Sequence, residues 1–276
     1  MTRILTASVL QAAFGDDMQA NHKKVESLAR EAARDGASLI LAPELFSGPY
    51  FCKSQDEAHF AKAYPWAEHP AVLHFQTVCK SLRVTMPISI FERQGPHFYN
   101  ALVWIGPNGE PIGIYRKSHI PDGPGYQEKF YFRPGDTGFQ VFDLSGVCAG
   151  AGICWDQWFP ECAREMALMG AEILLYPTAI GSEPQAPGLD TAARWRRAMV
   201  GHAVSNVMPV MAANRIGDED GQVFYGSSFI ADHTGEIVAE LDREEEGIAT
   251  ATFDLDSIAQ DRAAWGFFRD RREDLY

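Results

Sequence analysis

Val147-Cys148-Ala149-Gly150-Ala151-Gly152-Ile153-Cys154-Trp155-Asp156 is small and apolar until it meets a thiol, and a helix-like stretch, 156–169, follows at once. A run like 147–153 suits a buried strand, and the next segment spaces its apolar residues helically. Together they predict an α/β chain in which Cys154 sits at a strand end and faces a helix N-terminus. The partial positive charge there favours thiolate over thiol. Cys154 is thus a candidate nucleophile, although a free cysteine is otherwise a small buried hydrophobe, so its neighbours must decide.

Two further apolar runs end on a charge. Leu39-Ile40-Leu41-Ala42-Pro43-Glu44-Leu45-Phe46 has the pattern of a buried strand closed by proline, with a carboxylate immediately behind it. Ile112-Gly113-Ile114-Tyr115-Arg116-Lys117-Ser118-His119 is a short strand running into a Pro- and Gly-rich turn, 121–125. Each charge alone suits an ion pair at a strand end. It is a family resemblance, carried by three short patterns, that joins this acid and amine to the thiol, and such a set suits acyl chemistry. A free thiol (about 8.5) and a free Glu (about 4.3) differ enough that moving the proton costs roughly 6 kcal/mol. Burial disfavours a lone carboxylate, and a nearby ammonium favours thiolate, so that gap shrinks in a shared cleft. The ammonium, with a backbone N–H near Trp155, can also meet the negative oxygen that forms when sulfur adds to a carbonyl.

In these three patterns, Pro43-Glu44, Tyr115-Arg116-Lys117 and Gly152-Ile153-Cys154-Trp155-Asp156, the chain resembles the nitrilase, or carbon-nitrogen hydrolase, superfamily. The resemblance implies a four-layer αββα sandwich, two stacked mixed sheets flanked by helices. It implies hydrolysis of linear amide C–N bonds by Cys154, with Glu44 as acid and base and Lys117 as charge stabiliser. Many members carry a second glutamate after the lysine, which assigns Glu128 to the catalytic set. His119 beside Pro121 and Asp122 is read as a hydrogen-bonding support. Within the superfamily, 117–132 and 176–184 are similar to the N-carbamoylputrescine amidase branch, which implies a small cationic carbamoyl substrate. A pocket for it needs one negative group at the far end and apolar or aromatic walls between. Glu183 is the candidate for the first; Tyr50, Tyr126 and Trp155 are candidates for the second. Arg133 and Arg194 keep open a relative acting on a carboxylate-ended ureido compound or ω-amide, and a catalytically silent binding or scaffold protein is the alternative of another class.

The chain has 276 residues, 46% of them hydrophobic, enough for a large core without a composition break that would mark a linker. Its formal charge of −13 argues against nucleic acid and anionic membrane as partners and suits a cationic substrate. Five scattered cysteines describe no disulfide framework and fit a reducing cytoplasm. No signal segment or bilayer-length apolar run is legible, and the dispersed histidines give no reason to expect a metal or cofactor.

Helical periodicity predicts helices near 18–35, 71–82, 156–169 and 191–206, and the first strand is expected over 2–9. Two weak echoes suggest duplication. Phe98-Tyr99 and Phe224-Tyr225 each precede a Gly-containing turn at the same separation, Asn108-Gly109-Glu110 and Thr234-Gly235-Glu236. Ile40-Leu41-Ala42-Pro43 likewise matches Leu174-Leu175-Tyr176-Pro177. The expectation is one domain over 1–276. Its tail, 255–276, holds Trp265-Gly266-Phe267-Phe268 at the interface of a homodimer or larger assembly.

Overall fold

The computed structural model describes residues 2–276. Its first half runs β1 (Ile4–Gln11), α1 (Met18–Arg34), β2 (Leu39–Leu41), α2 (Pro70–Leu82), β3 (Met86–Gln94), β4 (His97–Ile105) and β5 (Pro111–Arg116). The second runs β6 (Val141–Asp143), β7 (Cys148–Ala151), α3 (Pro160–Leu168), β8 (Ile173–Thr178), α4 (Ala192–Asn206) and β9 (Val210–Asn214). It continues through the hairpin β10 (Ile216–Glu219) and β11 (Gln222–Tyr225) to β12 (Phe229–Ala231) and β13 (Ile237–Glu240). β14 (Gly247–Asp254) and α5 (Leu255–Trp265) close the chain.

One sheet has the order β14-β1-β2 and continues into β3-β4-β5 through a parallel bridge between Leu39 and Thr85; the other has the order β6-β7-β8-β9-β12-β13. Strand by strand they repeat. β1 pairs parallel with β2 and antiparallel with β14, as β7 pairs parallel with β8 and antiparallel with β6. The β4–β5 hairpin corresponds to β12–β13. The echoes in sequence thus fall on equivalent strands, with one difference: Phe224-Tyr225 ends β11, and Gly226 to Ser228 interrupt the chain before β12.

Alternation along the strands sets the layers. Leu5, Ala7 and Val9 of β1 and Ile173 and Leu175 of β8 meet in the core between the sheets. Leu10, Ile88 and Val103 pack outward on Val25 and Ala29 of α1 and Phe75 of α2. Leu174 and Tyr176 pack outward on Met166 of α3 and Trp195 of α4. The result is helix, sheet, sheet, helix. Each fully buried Leu or Ile contributes about 1.5–3 kcal/mol to holding these layers together.

Local signals explain the helix ends. Asp17 caps α1 by accepting from the Gln19 and Ala20 N–H groups, and α2 starts with Pro70 behind a His69 cap. The first strand begins two residues later than expected. The long helix expected over 156–169 is broken: a 3₁₀ turn spans Cys154–Trp158, Phe159 is extended, and α3 starts at Pro160. Proline has no N–H and forces its predecessor out of helical geometry, which stops the first turn from joining α3. The tail also begins as a helix, α5, capped by Asp254.

Candidate active site

β2 stops after Leu41 because Pro43 cannot extend the ladder. The Glu44 N–H donates across to Thr178 O (3.3 Å), in the equivalent position after Leu175 of the other sheet. Leu45 then takes a left-handed backbone (φ 50°), costly for a branched side chain and held by Ser89 Oγ, which accepts its N–H at 2.9 Å. This turn directs the Glu44 carboxylate into the interior. Its Oε1 accepts from Lys117 Nζ (2.8 Å) and Asn100 Nδ2 (2.7 Å), while Oε2 is buried with no hydrogen-bond partner among the described residues.

Lys117 follows β5 and keeps the inward parity of Tyr115. Its ammonium is fully buried and donates to Glu44 Oε1, Glu128 Oε1 (2.9 Å) and Glu128 Oε2 (2.7 Å). These contacts use all three of its protons. Burial works against the charge, but Glu128 and Glu44 outweigh it and hold Lys117 above its ordinary range. Glu128 receives a further bond from Tyr50 Oη (2.7 Å). Burial, opposed by Lys117 and reinforced by Glu44, pushes its carboxyl up to about 7.

Cys154 opens the 3₁₀ turn with φ 44°, a strained elbow that projects its side chain. Its thiol lies 3.9 Å from Ala179 O and is almost fully buried. Burial, then the Glu44 charge, raise the thiol well above its ordinary range while Lys117 draws it down. The expected α-helix N-terminus is not there to help, since α3 begins six residues on. Asp156 holds the elbow instead: Oδ2 accepts from Ile153 N–H (2.9 Å) and Tyr115 Oη (2.8 Å), and Oδ1 from His119 N–H (2.9 Å). His119 Nδ1 is also 2.7 Å from Oδ1, and its ring stacks on Phe159 at 3.7 Å. The sulfur elbow and the lysine strand are thereby tied to one carboxylate.

Glu44, Lys117 and Glu128 are joined by hydrogen bonds and the Cys154 thiol feels the charge of all three, but the expected substrate-facing residues divide. Tyr50 has no exposed surface and gives its hydroxyl to Glu128, so it stands behind that carboxylate and not as an open wall. Tyr126 joins three loops: its hydroxyl accepts from Gly181 N–H and Gln222 Nε2 (both 2.9 Å) and donates to Ser182 O. Burial raises the Tyr126 and Tyr225 hydroxyls, and both also feel Cys154 and Glu183, placing them within electrostatic reach of each. Trp155 is 40% exposed and meets Trp158 edge-on, while Glu183 accepts from Gln185 at 3.0 Å. Arg133 and Arg194 are exposed and make no hydrogen bond to the four converging groups.

Four buried polar residues outside the sequence candidates, Asn100, Asp156, Arg215 and Glu219, also support the site. Asn100 interrupts the apolar run of β4, and Arg215 ends the apolar run of β9, the same signal that marked Glu44 and Lys117. Arg215 is wholly buried and pairs with Glu219 at 2.7 Å.

Residues 6–263 match the profile of the Carbon-nitrogen hydrolase family. The chain is similar to an N-carbamoylputrescine amidase of Arabidopsis thaliana, with 54% identity covering 99% of this chain and 94% of that one. It is similar to a citrullinase of Francisella tularensis, with 49% identity covering 99% and 96%. Its structure matches a carbon-nitrogen hydrolase from Helicobacter pylori with a TM-score of 0.92 and 34% identity, covering 99% and 97% of the two chains.

Proposed function

This chain belongs to the carbon-nitrogen hydrolase family, and we propose that it hydrolyses N-carbamoylputrescine to putrescine, ammonia and carbon dioxide through Cys154. The observation that carries the chemistry is the buried Glu44–Lys117–Glu128 cluster, which leaves one glutamate oxygen without a partner among the described residues. Glu44 Oε2 takes the thiol proton as sulfur adds to the carbamoyl carbon. A protonated Glu44 holds Lys117 less strongly, so one ammonium N–H is freed to donate a hydrogen bond to the oxyanion as that charge forms, the proton staying on nitrogen. Trp155 N–H is the proposed second donor. Glu44 then protonates the departing nitrogen and activates the water that attacks the thioester-like intermediate.

The two relatives act on substrates that, by name, differ in one α-carboxylate. We assign the substrate ammonium to Glu183, with Tyr126 and Trp155 beside the methylene chain. A ureido amino acid is the second reading, favoured by the citrullinase likeness. Ammonia release from N-carbamoylputrescine and from citrulline decides between them. The carboxylate-free compound is expected to win by about tenfold or more in kcat/KM, roughly 1.4 kcal/mol; the reverse order removes Glu183 from its role. Cys154→Ser is expected to abolish turnover while the fold persists, and mass spectrometry of a stalled reaction to find the adduct on Cys154 and not on Cys52.

We further place the protein in the cytoplasm as a homo-oligomer formed from one catalytic domain, with 255–276 at the subunit interface. The free state of all five cysteines and the exposed Trp265 and Tyr276 support that placement. Among the described residues no helix is long and apolar enough to cross a membrane.

A further inference from the structure

Arg215 follows β9 directly, and its guanidinium is enclosed by the rings of Phe14, Phe224 and Tyr50 at 5.1, 5.3 and 5.9 Å. Its Nη2 donates to three backbone carbonyls of one turn: Glu44 O (3.0 Å), Leu45 O (3.0 Å) and Gly48 O (3.3 Å). Nη1 donates to Glu219 Oε1 (2.7 Å), and Glu219 Oε2 accepts the Tyr50 N–H (2.5 Å). Tyr50 Oη in turn holds Glu128.

We propose that Arg215, braced by Glu219, is a positioning residue that fixes both carboxylates flanking Lys117, Glu44 through its own backbone and Glu128 through Tyr50. Three carbonyls gathered around one point repel one another, and Leu45 among them is held left-handed. Nη2 meets these carbonyls while Nη1, in the same rigid plane, reaches Glu219, so one guanidinium ties the turn to that carboxylate in two fixed directions, whereas an ammonium is a single point charge with a different reach. A buried ion pair is a poor source of net stability compared with apolar packing, which leaves its geometric effect as the reason for placing it here. One guanidinium thus sets the distance from Glu44 Oε2 to the Cys154 sulfur and the clamp on Lys117.

This inference rests on the assignment of Glu44, Lys117 and Cys154 above, so its test includes a readout that needs no substrate. Arg215→Lys, Arg215→Met and Glu219→Gln are compared with the parent for circular dichroism, kcat, KM, and the pH dependence of Cys154 alkylation by iodoacetamide. With the fold retained, kcat is expected to fall about a hundredfold in Arg215→Met, less in Arg215→Lys, at nearly constant KM. The alkylation midpoint is expected to move by about one pH unit, a tenfold change in ionisation ratio, because displaced carboxylates alter the charge facing sulfur. Variants that only melt earlier, with parental kcat and parental alkylation midpoint, overturn the proposal. If the Arg215 variants do not fold, Glu219→Gln and Tyr50→Phe give the same readouts, and parental values in both overturn it. A parent that releases no ammonia from either ureido substrate refutes the functional reading, while the alkylation comparison still decides this one.

Discussion

Glu44 and Glu128 share one ammonium but differ in what else they touch. Among the described residues Glu44 keeps one oxygen without a partner, whereas both oxygens of Glu128 are engaged, by Lys117 and by Tyr50. The first is therefore suited to carrying a proton and the second to holding a cation. With Glu128 pushed up to about 7 by burial, against Lys117, the folded chain keeps this proton more tightly than the unfolded chain, where it leaves near 4.5. Its contribution to stability is fully present below that lower value and is lost as pH rises through about 7. If ionised Glu128 is the form that clamps Lys117, kcat/KM rises through the same interval. Glu128→Gln should remove that inflection from the pH profile and narrow the gap between melting points at about pH 5.5 and about pH 8. An unchanged profile in the variant assigns the inflection to another group. Glu44, Lys117 and Cys154 were legible in sequence because each closes an apolar run with a group that burial would penalise. The aromatic ring of Tyr50 suggested a wall, while its hydroxyl bond to Glu128 was not legible because that partner lies 78 positions away.

Between residues and the whole, the element that matters most is the broken segment after β7. Regular periodicity through 156–169 hid the break, and Pro160, the residue that causes it, was in plain view. By contrast α1, α2 and α4 fall within one residue of their expected limits, since caps and an unbroken apolar stripe agree there. The helix α5 was missed because only two of its side chains, Leu255 and Ile258, are buried and no stripe is legible. What fixes the geometry of the elbow, in place of a helical turn, is Asp156, which collects donors from the chain around Cys154 and from the end of β5 and supplies none of the positive charge of a helix N-terminus. Asp156→Asn turns one acceptor into a donor facing donors. It should cost about 2–4 kcal/mol in urea unfolding, the range for leaving buried polar groups unpaired or opposed. Because both the elbow and the lysine strand lose a shared anchor, kcat should fall at least about tenfold even at temperatures where the variant is folded. Full activity in a destabilised Asp156→Asn would limit this residue to a folding role.

At the scale of the molecule, the duplicated sheets place the cluster at their common seam and leave the helix layer of the second half facing outward. There the tail crosses α3 and α4: Phe268 lies beneath Arg164 (4.9 Å) and Arg262 (5.7 Å), and Arg164 donates to Ser205 O. Beside it a cavity of about 300 Å³ opens between the end of α3 and α5, lined by Ala167, Leu255, Ile258, Ala259, Ala263 and Phe268 among others. Trp265, next to Gly266 of the lining, is 64% exposed, so a large apolar side chain stands in water beside this face. An apolar surface of this kind is what a subunit contact covers, and a stable contact needs roughly 800 Å² from each partner. Light scattering should therefore give a mass at least twice the 30.6 kDa of one chain. Trp265→Asp, made at an exposed position, should shift that mass towards one chain without changing circular dichroism. Because α3 begins directly after the elbow that carries Cys154, loss of the partner should also lower kcat, and activity should fall on dilution through the dissociation range. A parent that remains a single chain at micromolar concentration, fully active, removes both the interface and its link to the thiol.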